Sequence, residues 1–482
     1  MLFNSIDFAI FLPLVFTIYW LIGTKRLKFQ NLLILLASYV FYGWWDWRFL
    51  SLVAFSSFVD FFVGLGIYKT NNKLRKKLLL WTSIIVNLGL LGTFKYYNFF
   101  LENIQDAFSF FGQNINIGFL NIILPVGISF YTFQTLSYSI DVYKGKLIPS
   151  KNFIAFSAFV SFFPQLVAGP IERAKHLLPQ FNKPRKFNKT EAIYGLRQML
   201  WGFFKKIVIA DNCAEIANEI FNNSTDYNGS TLLIGALFFT FQIYGDFSGY
   251  SDIAIGLSRL FGFNLMKNFA FPYFSRDIAE FWRRWHISLS TWFRDYLYIP
   301  LGGSKGGKLN KIRNTFIIFI VSGFWHGANW TFIIWGALNA IYFLPLLISK
   351  KNRNNLDVIA QGRFIPKYKE FGQMLLTFSL TVIAWIFFRA ENVSHAINYL
   401  STIFSVSIFE PIQFQTLNLN FSLIPIIIVF ILIEWLGREN EFAIEKIFNK
   451  WYRPVRWGVY YTIIAIILVY SGAQQDFIYF QF

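Results

Sequence analysis

The sequence predicts an all-α, polytopic membrane protein, and three observations lead to this prediction. Of the 482 residues, 55% are hydrophobic and only 15% are charged, whereas soluble domains carry about 25% charged residues. Long stretches without Asp, Glu, Lys or Arg recur along the chain, and about 20 mostly apolar residues suffice for a helix to cross the hydrocarbon layer. These stretches are continuously apolar, which does not fit the alternating pattern of a transmembrane β-barrel.

The candidate spans follow one another along the whole chain. They lie at 8–24, 29–45, 78–94, 107–140, 152–171, 227–245, 314–349, 371–388, 411–433 and 457–475, with a further one at 49–68 that is interrupted only by Asp60. The run 314–349 is long enough for two short spans or for one span and a re-entrant piece. We therefore expect about ten to twelve transmembrane helices. They form one membrane domain, with N-terminal spans in 1–151, a core in 152–349 and C-terminal spans in 350–482.

Two segments of the middle region depart from the regular pattern. Residues 152–171 contain Pro164, Gly169 and Pro170, which predicts a re-entrant segment whose backbone is satisfied by protein or water. Residues 190–210 mix basic and apolar side chains, which predicts a segment in the membrane interface.

The net charge of +18 is explained by the loops, because Lys and Arg are enriched on the cytoplasmic side and meet anionic lipid there. The basic loops at 25–28, 69–77, 144–151, 350–370 and 437–456 are predicted inside, and the loops at 98–119 and 389–420 are predicted outside. Both termini are then on the extracytoplasmic side of the membrane. No basic nucleic-acid-binding module is present in the sequence, so we expect no nucleic-acid partner.

Ionisable side chains inside apolar segments are costly and mark candidate functional residues. His326 lies in VSGFWHGANW (321–330), within a charge-free run. Burial disfavours its charged form, and a neutral imidazole can accept a proton as a general base. Gly323 and Gly327 would allow a substrate or another backbone to approach closely. The alternative is a structural histidine bonded to a neighbouring helix.

A second histidine, His286, lies in the basic segment FWRRWHISLSTWFRDYLYIPLGG (281–303). The apolar residues of this segment have helical spacing. One interpretation is an interfacial helix in which His286 has no role. The other is that the segment lines a polar tunnel that reaches His326, where guanidinium groups hold the phosphates of a donor. The arginines concerned are Arg283, Arg284 and Arg294.

Two carboxylates, Asp246 and Asp252, lie in FQIYGDFSGYSDIAIG (241–256). Because isolated carboxylates inside a membrane need partners, we interpret both as structural, paired with the arginines of the basic segment. No H-x-x-x-H or H-E-x-x-H spacing occurs in the sequence, so no metal is predicted.

These segments belong to a larger set of motifs that carry a family resemblance. The motifs are LPVGISFYTFQTLSYSIDVYKG (124–145), FFPQLVAGPIERAKHLLPQF (162–181), YGDFSGYSDIAIGLSRLFGF (244–263), FPYFSRDIAEFWRRWHISLSTWFRDYLYIPLGGS (271–304) and SGFWHGANWTFIIWGALNA (322–340). On these motifs the sequence resembles the membrane-bound O-acyltransferases, and among them the membrane subunits of bacterial alginate O-acetylases. The likeness extends from Met1 to near residue 345 and continues loosely to the end.

The resemblance implies a multi-helix fold around a central tunnel, with His326 as the catalytic histidine and His286 as the second characteristic polar position. It implies transfer of an acyl group, here acetyl, from a cytoplasmic thioester such as acetyl-CoA to a polysaccharide outside the membrane, completed by a separate extracytoplasmic partner protein. On this basis His326 is the expected general base, and His286, Trp285 or Ser288 orients the donor or stabilises the oxyanion. Trp325 and Asn329, which flank His326, are further candidates for donor binding.

Two other functions stay open from the sequence alone. A related branch transfers D-alanyl groups from a carrier protein to teichoic acid, and the same core motifs serve it. A transporter of polysaccharide precursors is a different class, for which intramembrane Asp and His would couple ions. The absence of an internal repeat and the W-H-G motif disfavour the transporter.

Overall fold

The computed structural model describes residues 1–113, 115, 118–413, 423–448, 450–472, 475 and 477–478, and all regular secondary structure in these residues is helical. The α-helices are Ile6–Ile22 (α1), Leu27–Asp46 (α2), Leu50–Lys69 (α3), Lys73–Leu91 (α4), Tyr97–Phe110 (α5), Ile128–Tyr143 (α6), Phe153–Val160 (α7), Ala174–Phe181 (α8), Lys189–Phe203 (α9), Asn212–Asn222 (α10), Gly229–Leu260 (α11), Ile278–Arg284 (α12), Ile287–Phe293 (α13), Gly307–His326 (α14), Trp330–Ile348 (α15), Tyr368–Arg389 (α16), Val393–Ile403 (α17), Leu423–Gly437 (α18) and Arg453–Val469 (α19). Turns of π-helix occur at Gly92–Tyr96, Phe204–Asp211 and Arg294–Tyr298.

Five helical stretches of the described residues are long and apolar enough to cross a membrane. They are Leu27–Lys69, Lys73–Phe110, Gly229–Leu260, Trp330–Ile348 and Tyr368–Arg389. Ile6–Ile22 and Leu423–Gly437 are shorter apolar helices. The predicted all-helical class is therefore confirmed, whereas the number of spans and the central tunnel stay predictions. Residues 414–422 of the predicted span 411–433 lie outside the described residues, and so do the last residues of the chain, which are predicted on the outer side.

The chain divides into two compact units. The first comprises 1–195 with 254–266, and the second comprises 196–253 with 267–482. Asp60, in the middle of α3, is fully buried in the first unit. Its carboxylate accepts hydrogen bonds from Ser83 and from Asn87 Nδ2 at 2.7 Å, both on α4. Ser139 of α6 donates to it at 2.7 Å. Neutral donors of two neighbouring helices therefore satisfy this intramembrane carboxylate, as burial requires.

The irregular segment predicted at 152–171 contains only one short helix. Helix α7 has eight residues, and the turns that follow it up to Pro170 are buried. Eight residues rise about 12 Å, much less than the hydrocarbon thickness. The backbone break therefore agrees with the predicted irregularity, and re-entry into a membrane stays a prediction.

In the second unit, the run 314–349 forms the end of one helix and the whole of a second, of which only α15 is long and apolar enough to cross a membrane. The choice between two spans and one span with a re-entrant piece therefore stays a prediction. Helix α14 ends at His326, because Gly327 has extended backbone angles (φ −160°, ψ 152°). Helix α15 begins four residues later, capped by Asn329, whose side-chain oxygen accepts from Thr331 N at 3.0 Å. A Cβ atom on Gly336 of α15 would lie 2.3 Å from the carbonyl oxygen of Phe319. The two helices therefore pack backbone to backbone where glycine permits it.

Candidate active site

His326 occupies the last position of α14 and is 3% exposed. Aromatic rings surround its imidazole, with ring centroids 4.9 Å away at Trp325, 5.1 Å at Trp335 of α15 and 5.2 Å at Phe388 of α16. The imidazole is therefore almost fully buried among aromatic rings. Such an environment strengthens electrostatic interactions with a reacting group.

His286 lies at the break between α12 and α13 and is 1% exposed. The ring of Trp325 contacts both candidate histidines. Its centroid is 6.2 Å from that of His286 and 4.9 Å from that of His326. Burial lowers the pKa of His286 to about 3, so its imidazole is neutral at physiological pH. The structure thus places the two predicted histidines against one indole ring.

A cavity of about 320 Å³ lies beside α14. One face of α14 contributes Thr315, Ile318, Phe319 and Ser322 to its wall. Because His326 is four residues beyond Ser322, it follows on the same helix face, about 6 Å further along the axis. Neither His326 nor His286 lines the cavity, whose wall along α14 ends at Ser322, one turn before the candidate catalytic histidine.

Two of the three arginines predicted to bind phosphate line this cavity, and the third does not. Arg283 and Arg294 line the cavity, together with Arg353, which follows α15. Arg283 also donates to the carbonyl oxygens of Asn352 at 2.8 Å and Asn355 at 2.7 Å. The cavity therefore has a cationic lining suited to phosphate groups.

Arg284, by contrast, is absent from the described cavity lining and is paired within the protein. It donates to Glu280 Oε1 through Nε at 3.0 Å and through Nη2 at 2.8 Å. Arg276 pairs with the same buried carboxylate and, at 2.9 Å, with Asp357, and these contacts lower the pKa of Asp357. Arg284 is thus part of a structural ion-pair network.

Asp246 and Asp252 pair with lysines, and the expected pairing with the arginines of the basic segment is wrong. Lys205 Nζ lies 2.5 Å from Asp252 Oδ2, and Lys206 Nζ lies 2.8 Å from Asp246 Oδ1. Both lysines belong to the π-helical turn Phe204–Asp211 and are buried. Both lysines of this turn thus face α11, and the interfacial position of 190–210 stays a prediction.

Asp246 also holds the C-terminal part of the chain, since its Oδ2 accepts from Ile478 N at 2.7 Å. Phe477 is buried and lies 6.1 Å from Phe247 between ring centroids, and Phe247 in turn lies 4.5 Å from His286. The described C-terminal residues therefore pack against Phe247, which itself contacts His286.

Two further predicted residues, Trp285 and Asn329, contact other parts of the protein near the site. Trp285 is buried among the rings of Phe269, Phe281 and Trp385, at centroid distances of 5.0, 5.6 and 4.9 Å. The Asn329 amide, which caps α15, also donates to the carbonyl oxygen of Glu391 at 2.8 Å. Both ends of that amide are thus engaged by the backbone.

Sequence reasoning missed three groups of residues in this region. Asn268 was not predicted, although its side-chain oxygen lies 3.0 Å from Nδ1 of His286. The lysine pair at 205 and 206 and the cavity residues Ser322 and Arg353 were also missed. The available sequence signal for Asn268 was an amide side chain among mostly apolar residues. The signal for the ion pairs was two adjacent lysines in an apolar run.

Comparison with known proteins adds independent findings. The sequence profile of the membrane-bound O-acyltransferase family matches residues 147–363. The chain is 42% identical to the probable alginate O-acetylase AlgI of Pseudomonas aeruginosa over 87% of its length and 78% of the relative. It is 38% identical to that of Pseudomonas putida over 100% of both chains. The peptidoglycan O-acetyltransferase of Helicobacter pylori is 37% identical over 83% of this chain and 79% of its own. The chain therefore belongs to the membrane-bound O-acyltransferase family.

Proposed function

We propose that this O-acyltransferase moves an acetyl group from a cytoplasmic thioester, acetyl-CoA, to a polysaccharide outside the cytoplasmic membrane, with His326 as the general base. The observation that carries the proposal is that the cavity is lined by the face of α14 on which His326 follows, one turn beyond Ser322. The names of the relatives, which include O-acetylases of alginate and of peptidoglycan, support acetyl as the group and a polysaccharide as the acceptor.

The proposed donor site is the cavity beside α14. Arg283, Arg294 and Arg353 bind the phosphates of the donor, because guanidinium groups match phosphate oxygens in geometry and charge. The thioester arm extends along α14 past Ser322 towards His326. The basic loop 350–370, which contributes Arg353 to the cavity lining, is predicted cytoplasmic, and this agrees with the side on which acetyl-CoA is made.

In the reaction, Nδ1 or Nε2 of His326 takes the proton of an acceptor hydroxyl while the hydroxyl oxygen attacks the thioester carbonyl. Collapse of the tetrahedral intermediate breaks the C–S bond, and the thiolate takes up the proton from the imidazolium. Positioned proton transfer of this kind contributes about 10²–10⁴-fold. The aromatic rings around His326 exclude water and so protect the thioester from hydrolysis.

The test is the O-acetyl content of envelope polysaccharide in cells that contain wild type, His326→Ala, His286→Ala or His395→Ala at equal membrane levels. We expect acetate released by alkali to fall to the level of a deletion strain for His326→Ala and to fall strongly for His286→Ala. His395 is the matched control, because it is bonded to Ser224 at 3.1 Å and lines neither site. Unchanged acetate in His326→Ala would overturn the mechanism, and released D-alanine in place of acetate would identify the D-alanyl reaction.

The proposal includes an orientation and a partner. Both termini lie outside the cytoplasmic membrane, and an extracytoplasmic protein completes the transfer to polysaccharide. Cysteines introduced at Lys25 and at Asp106, in a Cys213→Ala background, test the orientation with a membrane-impermeant thiol reagent. Only the cysteine at 106 should be labelled in intact cells, and labelling of position 25 alone would reverse the orientation.

A further inference from the structure

The bend that carries His286 has an unusual backbone conformation. His286 separates α12 from α13 with φ 43° and ψ 54°, in the left-handed region. Residues with a Cβ atom rarely adopt these angles, and the conformation persists only where the surroundings hold it.

Asn268 holds this bend from a neighbouring segment. It is fully buried, and its carbonyl oxygen accepts from Ile287 N at 2.9 Å. Its side-chain Oδ1 accepts from Ser288 N at 3.3 Å and from Ser288 Oγ at 2.8 Å. Its Nδ2 donates to Ser251 Oγ at 3.0 Å. One asparagine thus satisfies the first backbone N–H groups of α13 and is itself fixed by α11.

These contacts also determine the hydrogen position on His286. The amide orientation of Asn268 is set by Ser288 N, because a backbone N–H can only donate and must face Oδ1. The same Oδ1 lies 3.0 Å from Nδ1 of His286. Since Oδ1 can only accept, Nδ1 carries the hydrogen, and in the neutral ring Nε2 carries the lone pair.

Nε2 of His286 is buried and has no hydrogen-bond partner among the described residues. The side chains packed against the ring are aromatic. They are Phe247 of α11, Trp325 of α14, and Phe269, which follows Asn268 in the chain. Burial among these rings lowers the pKa of the imidazole. A buried, unpartnered acceptor in a cluster of rings is a place for a donor from outside the protein.

We infer that Asn268 is a positioning residue for acetyl transfer. It holds His286 in its bend and keeps the hydrogen of the imidazole on Nδ1, so that Nε2 can accept a hydrogen bond from a hydroxyl of the acceptor. This inference rests on the proposed function. It assigns His286 to the acceptor hydroxyl, and it argues against an oxyanion-stabilising role, because a neutral ring in this form has no N–H left to donate.

The test is Asn268→Asp, which keeps an oxygen facing Nδ1 and Ser288 but adds a negative charge. An opposite charge at this distance raises the pKa of the imidazole by about 1–3 units. Permeabilised envelopes of the host, with the variant as the sole copy, are given radiolabelled acetyl-CoA between about pH 7.5 and 4.5. The ratio of Asn268→Asp to wild-type incorporation should be steady at the alkaline end and fall on acidification, as Nε2 becomes protonated.

Ser251→Ala is the matched control, because it removes the bond to Nδ2 and leaves Oδ1 in place. Its ratio to wild type should not vary with pH. A constant ratio for Asn268→Asp across the range, whether high or low, would overturn the inference, since a merely structural role lowers activity equally at every pH. Equal labelling in wild-type and His326→Ala envelopes would overturn the proposed function and the inference with it.

Discussion

Gly323 of α14 lies against the carbonyl oxygen of Phe332 of α15, so closely that a Cβ atom would be 2.2 Å from that oxygen. Because Gly323 is one turn before His326, the contact fixes the end of α14 that carries the catalytic candidate. The glycine thus serves the close approach of a second backbone, one of the two roles that the sequence left open for it.

The first prediction is that Gly323→Ala lowers both stability and acetyl transfer. The methyl group forces α14 and α15 apart, which displaces His326 and loosens the hairpin. The melting temperature of the purified protein and the O-acetyl content of cells measure the two effects. Gly372→Ala is the control, because nothing lies within 4 Å of a Cβ at that helical position. An unchanged melting temperature in Gly323→Ala would contradict the backbone packing.

The second prediction concerns donor binding at Arg294. This side chain is exposed, pairs with Asp295 at 2.7 Å and lines the cavity. We expect Arg294→Gln to raise KM for acetyl-CoA by about three- to tenfold with little change in kcat, because the phosphates are bound equally in ground and transition states. Arg48→Gln is the control, an exposed arginine that also pairs with a nearby aspartate, Asp46. A lower kcat at unchanged KM would place Arg294 outside the donor site.

The sequence predicted the class of fold well, because helices that cross a membrane are determined by local composition and length. His286 and His326 could also be chosen as candidates from the sequence, since each is a polar group in an apolar or aromatic segment, and the structure brings both against the ring of Trp325. Their surroundings were not predictable. Asn268 is separated from His286 by 18 residues and Lys205 from Asp252 by 47, and no local pattern determines which distant segments a fold brings together.

The arginine assignments show the same limit. Arg283 and Arg284 are adjacent in the sequence and were equivalent as candidates, but successive residues of a helix point in different directions. Arg283 therefore lines the cavity, whereas Arg284 faces Glu280. The choice between them depends on where the cavity lies, which is a property of the tertiary packing.

The third prediction concerns the pair of Lys205, which is buried, and Asp252, whose side chain is 14% exposed. Lys205→Met leaves the largely shielded carboxylate of Asp252 without its counter-charge, which should lower the stability by about 3 kcal/mol, the lower end of the range for buried pairs. The double variant with Asp252→Asn should recover part of the loss, because Gln198, 2.9 Å from Asp252 Oδ1, can still bond an amide. Thermal unfolding of the single and double variants measures the coupling. Additive effects would contradict a direct pair.

A more exposed ion pair serves as the comparison for the Lys205 and Asp252 variants. Arg259 and Glu191 are 3.2 Å apart, with the glutamate side chain 52% exposed. Glu191→Gln should therefore change stability by less than about 1 kcal/mol, since water screens and replaces the interaction. An effect as large as that of Lys205→Met would show that burial does not determine the strength of these pairs.

The fourth prediction tests whether the cavity leads to His326. Ser322 is 6% exposed, lines the cavity and lies one turn before His326. Ser322→Phe fills the space next to the histidine, so it should abolish acetyl transfer while the protein still reaches the membrane at a normal level. Val321→Phe is the matched control, because Val321 is the preceding residue of α14 and is 40% exposed. If Ser322→Phe retains wild-type O-acetyl levels in cells, the thioester does not travel along this face of α14, and the donor site must be placed elsewhere.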